Sequence, residues 1–390
     1  MTSSSIKSGP LAGYKVVELA GIGPAPYAGQ MLADLGADVI VIDRPGAGIK
    51  AIDGRGKKSI ILDLKKPEAI AVLLKIVAGC DVLIEGLRPG VTERLGVGPD
   101  ACHAVNPKLI YGRMTGWGQT GPWSQMAGHD INYISMTGAL HAMGKDGAPP
   151  TPPLNLVGDF GGGSMFLVTG IIAALLRAEK TGKGDIVDAA IVDGVNSLMS
   201  FIYGMAGAGA WNMERENNLL DGAAPFYRCY ATSDGKFLAV GCIEPQFFAA
   251  MMERLALDSE TYGGQHDRAT WPEQHAKLEA EFASKTRDEW EAIFAGTDAC
   301  VSPVLDYAEA ATHPANSARH THVQQPGWTH PQIAPRFASQ ALAQQFNIAI
   351  KGAAYTDILA DAGYNESEVA ELLSGGAVLG SGPVKYTVEV

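Results

Sequence analysis

Residues 15–46 read KVVELAGIGPAPYAGQMLADLGADVIVIDRPG, and this stretch decides the fold class. The run at 15–19 is a buried strand, AGIGPAP breaks it, 27–35 is a helix ended by Gly36, and 38–43 is a second strand stopped by Arg44-Pro45-Gly46. Strand, glycine-rich turn, helix and strand make a βαβ unit. The turn gives Gly21-Ile22-Gly23 and then Pro24-Ala25-Pro26, with no third glycine. It departs from the dinucleotide fingerprint, so a nicotinamide cofactor has weak support.

The alternation continues outward. Strands are expected at 59–64, 81–85 and 109–114, with helices at 67–78 and 91–95. The pattern predicts an α/β fold built on an open, mostly parallel, doubly wound sheet with helices on its faces. Ligands of such sheets sit beyond the carboxyl ends of the strands. The formal net charge is −12, which argues against general binding to nucleic acid or anionic membrane. Yet between Arg44 and Arg94 stand ten Lys/Arg (44, 50, 55, 57, 58, 65, 66, 75, 88, 94) against six acids. Arg44, Lys65, Arg88 and Arg94 follow strand ends, which makes the patch a candidate phosphate site.

The five cysteines (80, 102, 229, 242, 300) show no CxxC spacing, so neither a disulfide framework nor a metal site is expected. A reducing, cytoplasmic setting fits. The N-terminus has no long apolar core, and the apolar segment 165–176 is too short for a bilayer crossing of about 20 residues.

Residues 115–128 (TGWGQTGPWSQMAG) form a long glycine-rich loop of the kind that usually carries function. His129 follows it. Thirty residues on, Asp159 precedes Gly161, Gly162 and Gly163 and a strongly apolar helix. Position alone favours Asp159 as an N-cap. Three successive glycines weaken a helix start, however, and suit a backbone that approaches a ligand. A His and an Asp in one apolar cleft supply acid/base groups of different intrinsic pKa, as proton abstraction beside a carbonyl requires. Backbone N–H groups of the 159–163 turn are candidate donors to the resulting oxyanion.

Beyond this region come a strand at 185–190 and an apolar helix over 191–211. Strands at 225–231 and 236–241 meet at Ser233-Asp234-Gly235, a hairpin signal. Helices follow at 246–255, 272–283 and 287–294, then a strand at 300–305. The expected organisation is a large domain over 1–215, a smaller α+β domain over 216–312, and a segment over 313–390 returning to the large domain. Within that segment 313–335 reads as a long connection, and amphipathic pieces lie at 355–362 and 367–373.

KVVELAGIGP, GADVIVIDRPG, LIYGRMTGWGQTGP, AGHDINY, PPLNLVGDFGGGS, LDGAAPFY, AVGCIEPQF and GTDACVSPVL together resemble the family III CoA-transferase superfamily, and within it the branch that racemises 2-methylacyl-CoA thioesters. The resemblance covers nearly all of 10–310 and fades beyond 335. It implies catalytic roles for His129, Asp159 and Glu244. It implies that Arg94 and Asn155 line the reaction site, while Arg44, Leu62, Lys65, Arg88, Gly128, Asp130 and Tyr133 hold the CoA moiety. It further implies an interlocked homodimer with shared active sites, an acyl-CoA substrate that needs no separate cofactor, and a place in branched-chain lipid metabolism. The reaction expected is inversion of the α-carbon by 1,1-proton transfer through an enolate.

The rival within the superfamily is a CoA-transferase that uses Asp159 as a nucleophile. A non-catalytic acyl-CoA-binding protein would have shed His129, Asp159 and Glu244. The presence of His129 favours the racemase, because two opposed proton carriers suit inversion and transfer needs one nucleophile. Cys242, near Glu244, reads as buried packing. The identity of the acyl chain is not legible.

Overall fold

The computed structural model describes residues 8–46, 53–258 and 262–381. Its opening unit is β1 (Lys15–Leu19), α1 (Pro24–Asp34) and β2 (Asp38–Asp43), with β1 and β2 parallel from the Lys15–Asp38 pair to Leu19–Ile42. The helix begins earlier than its apolar pattern. Pro24 and Pro26 lie inside its first turn, where a missing N–H breaks no helical bond and a fixed φ suits the start.

β3 (Lys57–Leu62), β4 (Val82–Glu85), β5 (Ile110–Thr115) and β6 (Asp185–Ala190) extend the sheet, all in parallel, in the order β3-β2-β1-β4-β5-β6. That is the doubly wound order, which reverses between β1 and β4 and leaves a crevice at their carboxyl ends. The inner strands β2, β1, β4 and β5 are buried along most of their length because crossover helices cover both faces, and the charges they carry there include the buried Glu18, Asp43, Glu85 and Arg113. One of the crossover helices is α2 (Pro67–Val77), which buries Val72, Leu73 and Ile76 against Val17, Leu83 and Tyr111. Each such side chain contributes about 1.5–3 kcal/mol of transfer free energy.

The apolar helix after Asp159 is longer than expected. A π-helical turn, Leu156–Ser164, runs without a break into α6 (Met165–Thr181), giving 26 residues. By length and composition this is enough to cross a bilayer, contrary to the reading of 165–176 alone. Core helices meet the same test. Here Leu167 and Ile171 press on Gly112 of β5, where a Cβ would lie 3.0 and 3.2 Å from them. Gly170 likewise admits Val187 of β6, which would stand 2.6 Å from an added Cβ.

Short helices α3 (Val91–Leu95), α4 (Pro99–Val105) and α5 (Asp130–Ser135) lie between β4 and the π turn, and the helix expected over 191–211 breaks at Met199 into α7 (Ile191–Leu198) and α8 (Ser200–Gly207). By packing, the chain forms two compact units that are not contiguous in sequence. The first comprises Met1–Thr137, Leu154–Leu198 and Thr321–Val390, as far as these are described, and the second Gly138–Pro153 and Met199–His320. Residues 138–153 and 199–215, read with the large domain, thus cluster with the second unit.

The second unit holds an antiparallel sheet of β7 (Tyr227–Ala231), β8 (Phe237–Gly241) and β9 (Val301–Pro303), with a turn whose Gly235 has φ 73°. On it pack α9 (Pro245–Arg254), α10 (Trp271–Phe282) and α11 (Arg287–Phe294) around Phe226, Tyr230, Phe282 and Trp290. Helices α12 (Tyr307–Thr312) and α13 (Pro314–Ala318) follow.

The stretch 313–335 is not the bare connection expected. It contains α13 and a hairpin, β10 (His322–Gln325) and β11 (Trp328–Pro331), turning at Gly327 with φ 80°. Its polar composition hides strands that are mostly exposed. In the first unit, α14 (Tyr355–Asp361) buries Ile358 and Leu359 in the sheet's core, and α15 (Glu366–Ser374) leads to β12 (Val378–Leu379), which pairs antiparallel with β3 at the sheet edge.

Candidate active site

The crevice between β1 and β4 gathers the site in the first unit. After β1 the chain passes through Gly21-Ile22-Gly23 into α1, and after β4 through Gly86-Leu87-Arg88-Pro89-Gly90 into α3. The two turns abut, since a Cβ on Gly86 would lie 3.1 Å from that of Ala25. Asp159 enters the same place: a Cβ on Gly23, whose φ is 74°, would stand 3.4 Å from Asp159 Oδ2. Glycine there is favoured by its backbone angle.

Asp159 is not the N-cap its position suggested. It sits in the π turn, where the Phe160 N–H reaches Asn155 O at 3.2 Å and the Met165 N–H reaches Phe160 O. Such turns mark functional sites more often than plain helix does. The Asp159 N–H, just before the first rung of the π ladder, donates to Asp130 Oδ2 at 2.7 Å. The Ser164 hydroxyl donates to Pro24 O at 2.7 Å and to Asp159 O at 3.2 Å, tying the turn to the head of α1. Tyr27 of α1 packs against Phe160 with the rings tilted by 39° and their centroids 4.4 Å apart. On the far side Gly162 and Gly194 bring α7 to contact distance; a Cβ on Gly194 would overlap Gly162 O at 1.8 Å.

The N–H groups of the 159–163 turn therefore do not form the oxyanion site expected of them, because Asp130 and the π ladder occupy them. At the start of α5 the N–H groups of Asn132 and Tyr133 share His129 O.

His129 is the residue preceding α5, exposed, with its own N–H donating to Asn132 Oδ1 at 3.1 Å. Burial first and the buried Asp130 carboxylate second push the Asp159 carboxyl up to about 6, with His129 opposing both. The structure thus brings His129, Asp130 and Asp159 into one electrostatic group. Burial also raises Asp130, against the N–H groups of Asp159 and Gly158. Tyr133 is raised by burial and by Asp159, with Arg88 pulling the other way. Asn155 immediately precedes the π turn, after Leu154, whose φ is 60°.

The loop 115–128 wraps a ring rather than standing open. The Tyr133 ring fills the space over Gly116 and Gly128, where a Cβ would lie 2.0 and 2.7 Å from it, and packs edge-on to Trp117 at 4.9 Å. Its hydroxyl donates to Gly128 O.

The cationic patch thins on folding. Arg55 makes a buried pair with Asp34, 2.5 Å between Nη2 and Oδ2, and lies 3.8 Å over the Phe346 ring. Lys57 pairs with Glu18 at 2.7 Å inside the core, Lys58 pairs with Asp38, and Lys66 and Lys75 bond the carbonyls of Gly375 and Gly363. Lys50 lies outside the described residues. Arg44, Lys65, Arg88 and Arg94 remain exposed at the carboxyl ends of β2, β3 and β4 or on α3. Leu62 is fully buried at the end of β3.

Comparison with known proteins agrees with this geometry. The family model for CoA-transferase family III matches residues 11–349. The chain belongs to CoA-transferase family III. It is 42% identical over 369 residues to the mouse protein named alpha-methylacyl-CoA racemase, covering 93% of this chain and 96% of that one. It is 46% identical over 310 residues to the human protein of the same name, covering 79% and 81%. Among solved structures, a CAIB/BAIF family protein from Brucella suis matches with a TM-score of 0.79 at 25% identity, covering 91% of this chain and all of that one.

In this family III chain Glu244 stands in the second unit, exposed, as the residue preceding α9, with Pro245 opening the helix and no side-chain cap bond. Cys242 is buried beside Met251 Sδ at 3.6 Å, and burial pushes its thiol up to about 12, which suits packing and not nucleophilic attack. Sequence reading weighed Gly23 only against a dinucleotide fingerprint and did not single out Tyr27, Phe160 or Ser164 as site residues. The only signal was their place in the two motif blocks, since contacts between β1's turn and the π turn span about 135 residues.

Proposed function

We propose that the chain is an isomerase that racemises 2-methylacyl-CoA thioesters, with Asp159 and His129 as opposed proton carriers. The single observation that carries the chemistry is Asp159 in the switch-point crevice, with its carboxyl raised to about 6 and His129 close enough to oppose the shift. A carboxylate tuned upward is a better base and, once protonated, a usable acid near neutral pH. The thioester acidifies its α-hydrogen. One carrier removes it to leave an enolate, and the other carrier returns a proton to the opposite face, which inverts the carbon. Racemase-named relatives at 42% and 46% identity support this reading over acyl-CoA transfer.

In the same reading Arg44, Lys65 and Arg88 bind the phosphates of CoA, and Leu62, Gly128, Asp130 and Tyr133 border its path. Arg94 and Asn155 line the reacting end. Glu244, supplied by a partner subunit in a homodimer, orients His129 and favours its protonated form. No cofactor beyond the CoA of the substrate takes part, and the activity serves branched-chain lipid breakdown in the cytoplasm. The test is to incubate one pure 2-methylacyl-CoA epimer with the protein and no carboxylic acid acceptor. A near-equal mixture of epimers is expected. An unchanged epimer, together with a hydroxamate trapped by hydroxylamine at Asp159, would establish the transferase instead.

A further inference from the structure

Asp130 does more than border a ligand. It is 6% exposed, and its carboxylate reaches from α5 to the first turn of another element, accepting the Asp159 N–H at 2.7 Å. Gly158 makes room for it: a Cβ there would lie 2.4 Å from Asp130 Oδ2. The other oxygen, Oδ1, is buried without a hydrogen-bond partner among the described residues. A buried carboxylate that leaves an oxygen unpaired is costly by itself, and here that cost stands against the hold it gives on the main chain at Asp159.

We propose that Asp130 is a positioning residue for Asp159: its carboxylate clamps the main chain at the start of the π turn and fixes a second negative group against the proton carrier. The proposal rests on the assignment of Asp159 as that carrier. The charged and titratable groups on the elements packed against the π turn leave Asp130 this role. On and before α5 stand Asp130, Tyr133 and His129. From α1 comes Tyr27, while β5 brings Arg113, which is held by Glu85 and Glu93. From β6 and α7 come Asp188, which accepts the Gln119 N–H, and Asp193. Of these, Asp130 raises the Asp159 carboxyl and His129 lowers it.

Asp130→Asn keeps an acceptor for the Asp159 N–H and removes the charge, whereas Asp130→Ala removes both. With aspartate labelled at its carboxyl carbon with ¹³C, the Asp159 resonance is identified by its loss in Asp159→Asn and titrated in each variant. In Asp130→Asn the Asp159 midpoint should fall by about one pH unit. The acid limb of kcat/KM should follow, so that at pH 5 the variant is about fivefold more active, relative to its own plateau, than the parent. Asp130→Ala, which also loses the main-chain clamp, should lose more plateau rate than Asp130→Asn does. An unmoved titration in Asp130→Asn, or equal plateau losses in the two variants, overturns the proposal. A moved titration with an unmoved acid limb overturns the assignment of Asp159 as proton carrier, and the proposal with it.

Discussion

Asp159→Asn should stabilise the fold at neutral pH while destroying activity. The carboxyl is raised from the ordinary value of 3.8 to about 6, first by burial and then by Asp130. A raised acid binds its proton more tightly in the folded chain than in the unfolded one. Stability is therefore highest below the unfolded pKa, falls as pH rises from about 4 through about 6, and stays lower above that. Two pKa units correspond to about 3 kcal/mol. Asp159 retains contact with solvent, so screening reduces this to about 1–2 kcal/mol. Asparagine occupies nearly the same volume without the charge and removes the penalty. Urea unfolding of both chains between pH 4 and 8, followed by a probe of the first unit, should show the variant more stable at pH 8 by about 1–2 kcal/mol, with the gap closing toward pH 4. A gap independent of pH, or of opposite sign at pH 8, would refute the reasoning.

Two further outcomes follow from the proposed roles. Arg44→Ala should raise KM for the thioester roughly tenfold with little change in kcat, since a charge-assisted phosphate contact is worth about 1.5–3 kcal/mol before screening; the effect should shrink with added salt, and an unchanged KM removes Arg44 from the CoA site. Co-expressed Asp159→Ala and Glu244→Ala chains, each inactive alone, should regain part of the activity in mixed dimers, whereas a fully active monomer would exclude a shared site.

The opening βαβ unit was legible because a buried parallel strand is a continuous apolar run and a glycine ends α1 where the pattern stops. The start of that helix was less clear, because Pro24 and Pro26 look like breakers until their place in the first turn is known. The π turn had no visible signature. Its i→i+5 bonds produce no distinctive apolar period over nine residues, so Asp159 resembled a helix cap. Arg55 and Lys57 counted toward a surface patch in the sequence, yet their partners Asp34 and Glu18 lie 21 and 39 residues away and take them into the core. The hairpin at 322–331 was hidden for the opposite reason, since polar, exposed strands lack the alternation that marks a buried one.

The central claim is that Asp159 and His129 serve opposite faces of one carbon. It is tested most directly by α-deuterium incorporation into each pure 2-methylacyl-CoA epimer in D₂O, catalysed by His129→Ala and by Asp159→Asn. Each variant loses one proton carrier, so neither should invert the carbon, and the loss of inversion should be on the order of 10²-fold or more. The carrier that remains should still exchange the proton on its own face. The account predicts exchange confined to one epimer in His129→Ala and to the other in Asp159→Asn. Exchange of the same epimer by both variants, or wild-type inversion without any deuterium at the α-carbon, would contradict it.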